Sequence, residues 1–116
     1  MGRHKDSEAK ANSSDVRFIP CRVEPGMFRD EFLVYLDVID PQDPSRTITV
    51  QLLADRREVA KLRGTPKRNQ PAAGWLRVAL ARQEKGLAQV VLPQPASPVG
   101  PNVLVEEGRV KHMVGA

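Results

Sequence analysis

With 116 residues, 41% of them hydrophobic and 28% charged, and a formal net charge of +4, the chain suits one domain with a compact core rather than a wholly disordered polymer. No apolar run approaches the roughly 20 residues that cross a bilayer, and the N-terminus lacks a hydrophobic signal segment. The lone Cys21 excludes an internal disulfide, so a soluble, cytoplasmic protein with no membrane partner is expected.

Residues 1–15 are polar, mixed in charge and without apolar periodicity, and read as a disordered N-terminal tail ahead of a single small β-barrel-like domain over 16–113. Within that tail MGRHKDS falls short of a myristoylation signal because Asp6 stands where Ser or Thr is needed. Asn12-Ser13-Ser14 is a formal glycosylation acceptor with no use in an unsecreted chain.

VRFIPCRVE (16–24) reads as a strand with Ile19, Cys21 and Val23 on one face, Cys21 serving there as a small buried hydrophobe. Pro20 cannot donate to a ladder, which assigns it to a sheet edge or a bulge. A turn at EPGMFRDE leads into EFLVYLDVI (31–39), rich in branched and aromatic residues, with Phe32, Val34, Leu36 and Val38 on one face. DPQDPS breaks the pattern. RTITVQLL (46–53) then alternates Ile48, Val50 and Leu52 against polar neighbours, as a half-buried strand does.

At Ala54 the period changes. Asp55 followed by Glu58 resembles a capping pair, Val59 and Leu62 share a helical side, and Gly64 suits a helix end, so a short helix is expected over 55–63. TPKRNQPAAG reads as a loop, GWLRVALAR and GLAQVVLP as strands about the turn QEKG, PQPASPVGP as a loop, and NVLVEE with RVKHM as a terminal hairpin through Gly108. Together these predict a mainly β fold, a small antiparallel barrel or rolled sheet with one short helix. The order of elements is similar to that of SH3-like and Sm-like barrels, in architecture only and without a shared motif, and such barrels host many unrelated binding tasks.

Candidate chemistry is sparse. His4, His112 and Cys21 offer no metal-ligand spacing, no serine sits in a nucleophile elbow, and RGTPKRN lacks the Gly-Lys-Ser/Thr ending of a phosphate loop. The acidic pairs Asp30–Glu31, Asp40–Asp43 and Glu106–Glu107 fall at turns or strand ends, where carboxylates serve solubility and local hydrogen bonding. No enzyme activity, cofactor or metal is expected.

Two surfaces remain. Residues 54–70 hold Arg56, Arg57, Lys61, Arg63, Lys67 and Arg68 against Asp55 and Glu58, an excess of four that equals the whole chain's net charge. Such a basic patch suits an anion, a nucleic-acid backbone or an acidic protein surface, and is otherwise a solvated helix face. Trp75, close by in sequence, reads as core rather than as a stacking platform. The second surface is Met27 and Phe28, large apolar residues at a turn; the preferred reading is that they fold back to plug the barrel, and the alternative is a partner-binding tip. The expected function is a non-catalytic β-domain that binds another protein or self-associates as a homo-oligomer, the alternative being a nucleic-acid-binding module using the basic helix and loop at 55–69.

Overall fold

The computed structural model describes residues 15–113; of the tail expected over 1–15, all but Asp15 lies outside them. The strands are β1 (Val16–Pro25), β2 (Glu31–Asp40), β3 (Asp43–Asp55), the two-residue β4 (Val59–Ala60), β5 (Ala72–Glu84), β6 (Leu87–Ala96) and β7 (Gly100–Glu106). All pairings are antiparallel, in the order β3-β2-β1-β5-β6-β7, with β4 joined to β5. The fold is therefore mainly β, as the alternating segments predict: one antiparallel sheet curled into a half-barrel. No helix among the described residues is long and apolar enough to cross a membrane.

Alternation decides which side chains line the concave face. Ile19, Cys21 and Val23 from β1, Phe32, Val34, Leu36 and Val38 from β2, and Val50 and Leu52 from β3 are all buried, as are Leu76, Val78, Val90, Val103 and Val105 from the later strands. Among the described residues no polar or charged residue is buried, so the core is held by apolar burial, about 1.5–3 kcal/mol per fully enclosed aliphatic side chain. The curl brings the β3 edge against the turn after β6, where Gln51 and Ser97 exchange backbone hydrogen bonds of 3.3 and 2.9 Å.

Prolines fall where ladders are interrupted. β1 pairs with β2 only from Arg22 to Pro25, while Phe18 exchanges two 2.8 Å backbone bonds with Lys111 on that same side. Pro20 lies between these two partners, in a gap where no donor is needed. β1 is nonetheless an interior strand, so the break in its ladder, rather than a free edge, admits the proline.

Three boundaries differ from the sequence-based expectation. The segment PQPASPVGP is not a loop: β6 runs on to Ala96 and β7 begins at Gly100, because the β6–β7 register shifts between Val91 and Ala96 and Pro93 and Pro95 fall inside that interruption. The terminal hairpin does not form either. After β7 the chain makes a 3-10 turn (Glu107–Arg109), and Lys111 pairs with β1 instead of β7. Glu107 is held meanwhile by its amide, which donates to Gly86 O, and by a side-chain bond from Gln83.

The third is the expected helix over 55–63, which shrinks to a 3-10 turn (Arg56–Glu58) followed by β4. Asp55 does cap that turn, accepting from the Arg57 amide at 2.9 Å. Beyond it, pairing with β5 overrides the local helical pattern: Val59 lies opposite Leu76, Ala60 opposite Trp75, and the Arg63 amide donates to Ala73 O at 2.9 Å. Lys61 takes φ 51°, an extra residue that turns its own side chain outward while Val59 and Leu62 pack on the core.

Candidate functional site

The Met27–Phe28 turn and the first two basic residues of the charged segment, Arg56 and Arg57, meet at one end of the sheet. The β2–β3 register sets Glu31 opposite Asp55, so the turn at 26–30 and the 3-10 turn at 56–58 leave the sheet side by side. Arg56 joins them: its amide donates to Asp30 O at 2.9 Å, its Nε–H donates to Arg29 O, and its guanidinium sits 4.7 Å from the centre of the Phe32 ring. Arg56 is thus partly committed to holding the turn.

That turn is tight. The Gly26 amide donates to Glu31 O at 3.0 Å, the Glu31 amide to Phe28 O at 3.1 Å, and the Phe28 amide to Glu31 Oε1 at 3.3 Å. A Cβ at residue 26 would stand 2.9 Å from both Glu31 O and Glu31 Cγ, which is why a glycine occupies the crossing point. So tight a reversal holds Met27 and Phe28 in solvent, 84% and 71% exposed. They do not plug the barrel, and the preferred sequence reading is overturned. Apolar cover over the inner face of β5 comes instead from Val59 and Leu62, which a Cβ at Gly74 would meet at 3.1 and 3.2 Å.

Beyond Arg56 the basic segment divides into three parts. Arg57 is exposed and paired with Asp55, Nε to Oδ1 at 3.1 Å; the pairing lowers the Asp55 carboxyl below the usual range and raises the Arg57 guanidinium. Lys61 and Arg63 flank the outer face of β5. Lys67 and Arg68 stand apart on a small turn closed by mutual Lys67–Gln70 backbone bonds of 3.1 and 2.9 Å, and all six basic residues are exposed.

A third component escaped the sequence reading. On β5, Ala72, Gly74, Leu76 and Val78 face inward, which turns Ala73, Trp75 and Arg77 outward. Trp75 is half-buried rather than enclosed in the core. Arg77 lies opposite Phe18 in the β1–β5 ladder and lines a depression of about 500 Å3 with Arg57, Lys61, Val16, Phe18, Val59, Ala60 and Met113. A second depression of about 290 Å3 contains Lys61, Arg63, Trp75, Pro20, Cys21, Ala73 and Gly74. Lys61 lines both, so they adjoin at its side chain and form one track where β1 and β5 meet the 59–63 segment. The signal for Arg77 was present in the inward alternation of β5, but the strand that faces it was not.

Cys21 is not poised as a nucleophile. Burial pushes the Cys21 thiol up to about 12, the neighbouring Arg22 only partly opposing it, so at neutral pH it is protonated and a poor nucleophile. His112 is exposed near the end of the described chain. On the outer face of β1 to β3, Arg22 donates to both Asp37 oxygens at 3.0 and 3.3 Å, and Thr49 Oγ1–H donates to Asp37 Oδ1 at 2.7 Å, a surface network that braces three strands. No protein-family model, curated protein or solved structure matches this chain.

Proposed function

We propose that the protein is a non-catalytic binding domain that docks a protein partner through the Met27–Phe28 tip. One observation carries the reading: two large apolar side chains stand 84% and 71% exposed on a turn closed by hydrogen bonds among Gly26, Phe28 and Glu31, so the tip is largely presented in advance and loses less freedom on binding. Arg29 and Arg56 border it, which suits a partner with an apolar pocket rimmed by carboxylates. The two side chains alone fall well short of the roughly 800 Å2 per partner of a standard interface, so they act as anchors and the arginines as rim. A cytoplasmic setting belongs to the same proposal, supported by a solitary, buried Cys21 that needs no oxidising compartment.

A photo-crosslinking residue in place of Phe28 identifies the partner, and the complex is then rebuilt from purified components. Met27→Ser with Phe28→Ser is expected to weaken it by about 2 kcal/mol or more, roughly thirtyfold in Kd, while leaving stability within about 0.5 kcal/mol because both residues are already in water. Analytical ultracentrifugation distinguishes a second copy of the chain from a different partner. Unchanged affinity in the double variant would reject the tip.

A further inference from the structure

The junction of β1 and β5 with the 59–63 segment carries a site that does not depend on the tip. Its two depressions meet at Lys61, and the side chains of Lys61, Arg63 and Arg77 make no hydrogen bond or ion pair among the described residues. Three uncommitted cations therefore line one track, with Arg57, already paired to Asp55, at its end. Two carboxylates adjoin it: Asp55, held by Arg57, and Glu58, which lines a neighbouring depression with Arg77. Between Arg63 and Arg77 the track exposes part of one aromatic ring, Trp75, seated opposite Pro20.

We propose that this track binds single-stranded nucleic acid, with Trp75 stacking on an unpaired base and Lys61, Arg63 and Arg77 taking the flanking phosphates. Cations spaced on either side of an aromatic face are what a strand of alternating phosphates and bases requires. Trp75 is half-buried, with Pro20 of β1 opposite it on one side and Ala60 of β4 on the other, so a base must leave its duplex to reach it. That geometry selects single strands over double ones. An acidic protein segment would satisfy the cations but leave the ring without a flat partner.

Trp75 is the only tryptophan in the sequence, so its fluorescence reports on this site alone. The full chain is titrated with ten-residue oligo(dT) and oligo(U) at low salt. Saturable quenching is expected, with log affinity falling against log salt at a slope of about −2 to −3 for three or four phosphate contacts on a single strand. Followed by anisotropy of a labelled oligonucleotide, Trp75→Leu should weaken binding about tenfold, and Lys61→Gln with Arg77→Gln should weaken it at least as much. The second pair keeps the test sound if Trp75→Leu disturbs the fold, because both of its residues are exposed or outward-facing. Met27→Ser with Phe28→Ser should leave oligonucleotide affinity unchanged, which separates this site from the protein-docking tip. The proposal is overturned by absence of binding at low salt, by equal affinity for a duplex of the same length, or by polyglutamate binding as tightly as oligo(dT).

Discussion

A single methyl group at position 74 tests how the 59–63 segment is seated, and with it the position of Lys61 and Arg63. Gly74→Ala would set a Cβ 3.1 Å from Val59 Cγ1, 3.2 Å from Leu62 Cδ2 and 3.4 Å from Ala60 O. The Gly74 backbone is not among the positive-φ glycines, so alanine meets no dihedral penalty and the whole effect comes from crowding. Overpacking of this kind costs about 1–3 kcal/mol, here toward the low end because the neighbours need give only a few tenths of an ångström. Reduced freedom of the unfolded chain offsets about 0.4–1 kcal/mol. The expected net loss is about 0.5 kcal/mol, measured by urea unfolding at unchanged m-value with Trp75 fluorescence as the probe. Val59→Ala, which removes the nearest atom, should cost about 1 kcal/mol alone. Combined with Gly74→Ala it should relieve the crowding, giving a coupling energy of about 1 kcal/mol. Additivity within about 0.3 kcal/mol would refute the packing of this segment on β5, as it would if residues 55–63 formed a solvated helix.

Two further outcomes concern ionisation. Because burial holds the Cys21 thiol up to about 12 against an ordinary value of 9.0, the unfolded chain releases this proton first as pH rises. Stability should therefore decline above about pH 9 with a contribution of at most about 1.4 kcal/mol per pH unit; Cys21→Ala should flatten that slope, and iodoacetamide at pH 8 should label the native thiol far more slowly than the unfolded one. The Asp37 carboxyl is held below its usual range by the hydrogen bond from Arg22 and then by that from Thr49. Its contribution is present above the ordinary carboxylate range and lost as pH falls through the depressed value. With side chains 44% and 32% exposed, solvent screening limits the pair, so Asp37→Asn should cost less than about 1 kcal/mol, less still in high salt. A larger, salt-independent loss in chemical denaturation would contradict that assignment.

Alternation carried most of the fold because burial on a curled sheet follows a period of two. The inward faces of β1, β2 and β3 were legible residue by residue, from Ile19 through Leu52. What local pattern could not supply was which strand lies beside which. Val59 and Leu62 fit a helical side as well as they fit a bulged strand, and only the distant ladder to Leu76 and Ala73 decides between them. Pro93 and Pro95 likewise look like loop residues until the interrupted β6–β7 register gives them a place. The same limit governs the site. Met27 and Phe28 were visible as unusual turn residues, but the bonds that fasten Gly26 to Glu31 and so expose them are a property of the closed hairpin. Arg77 and Trp75 join Lys61 only because β4 returns to the edge of β5.

The pairing of Phe18 with Lys111 has a topological consequence. Antiparallel exchange at that point carries Met113 to the neighbourhood of Val16, and the two share a wall of the larger depression. The described chain thus enters and leaves through one doorway. A linker of a few residues could join these ends, and new termini opened at the exposed Lys85–Gly86 turn should yield a circular permutant with the same sheet. By the same geometry the domain could be spliced into a surface loop of a host protein without stretching it, whereas a bulky group attached at Met113 would stand beside the basic track and obstruct it.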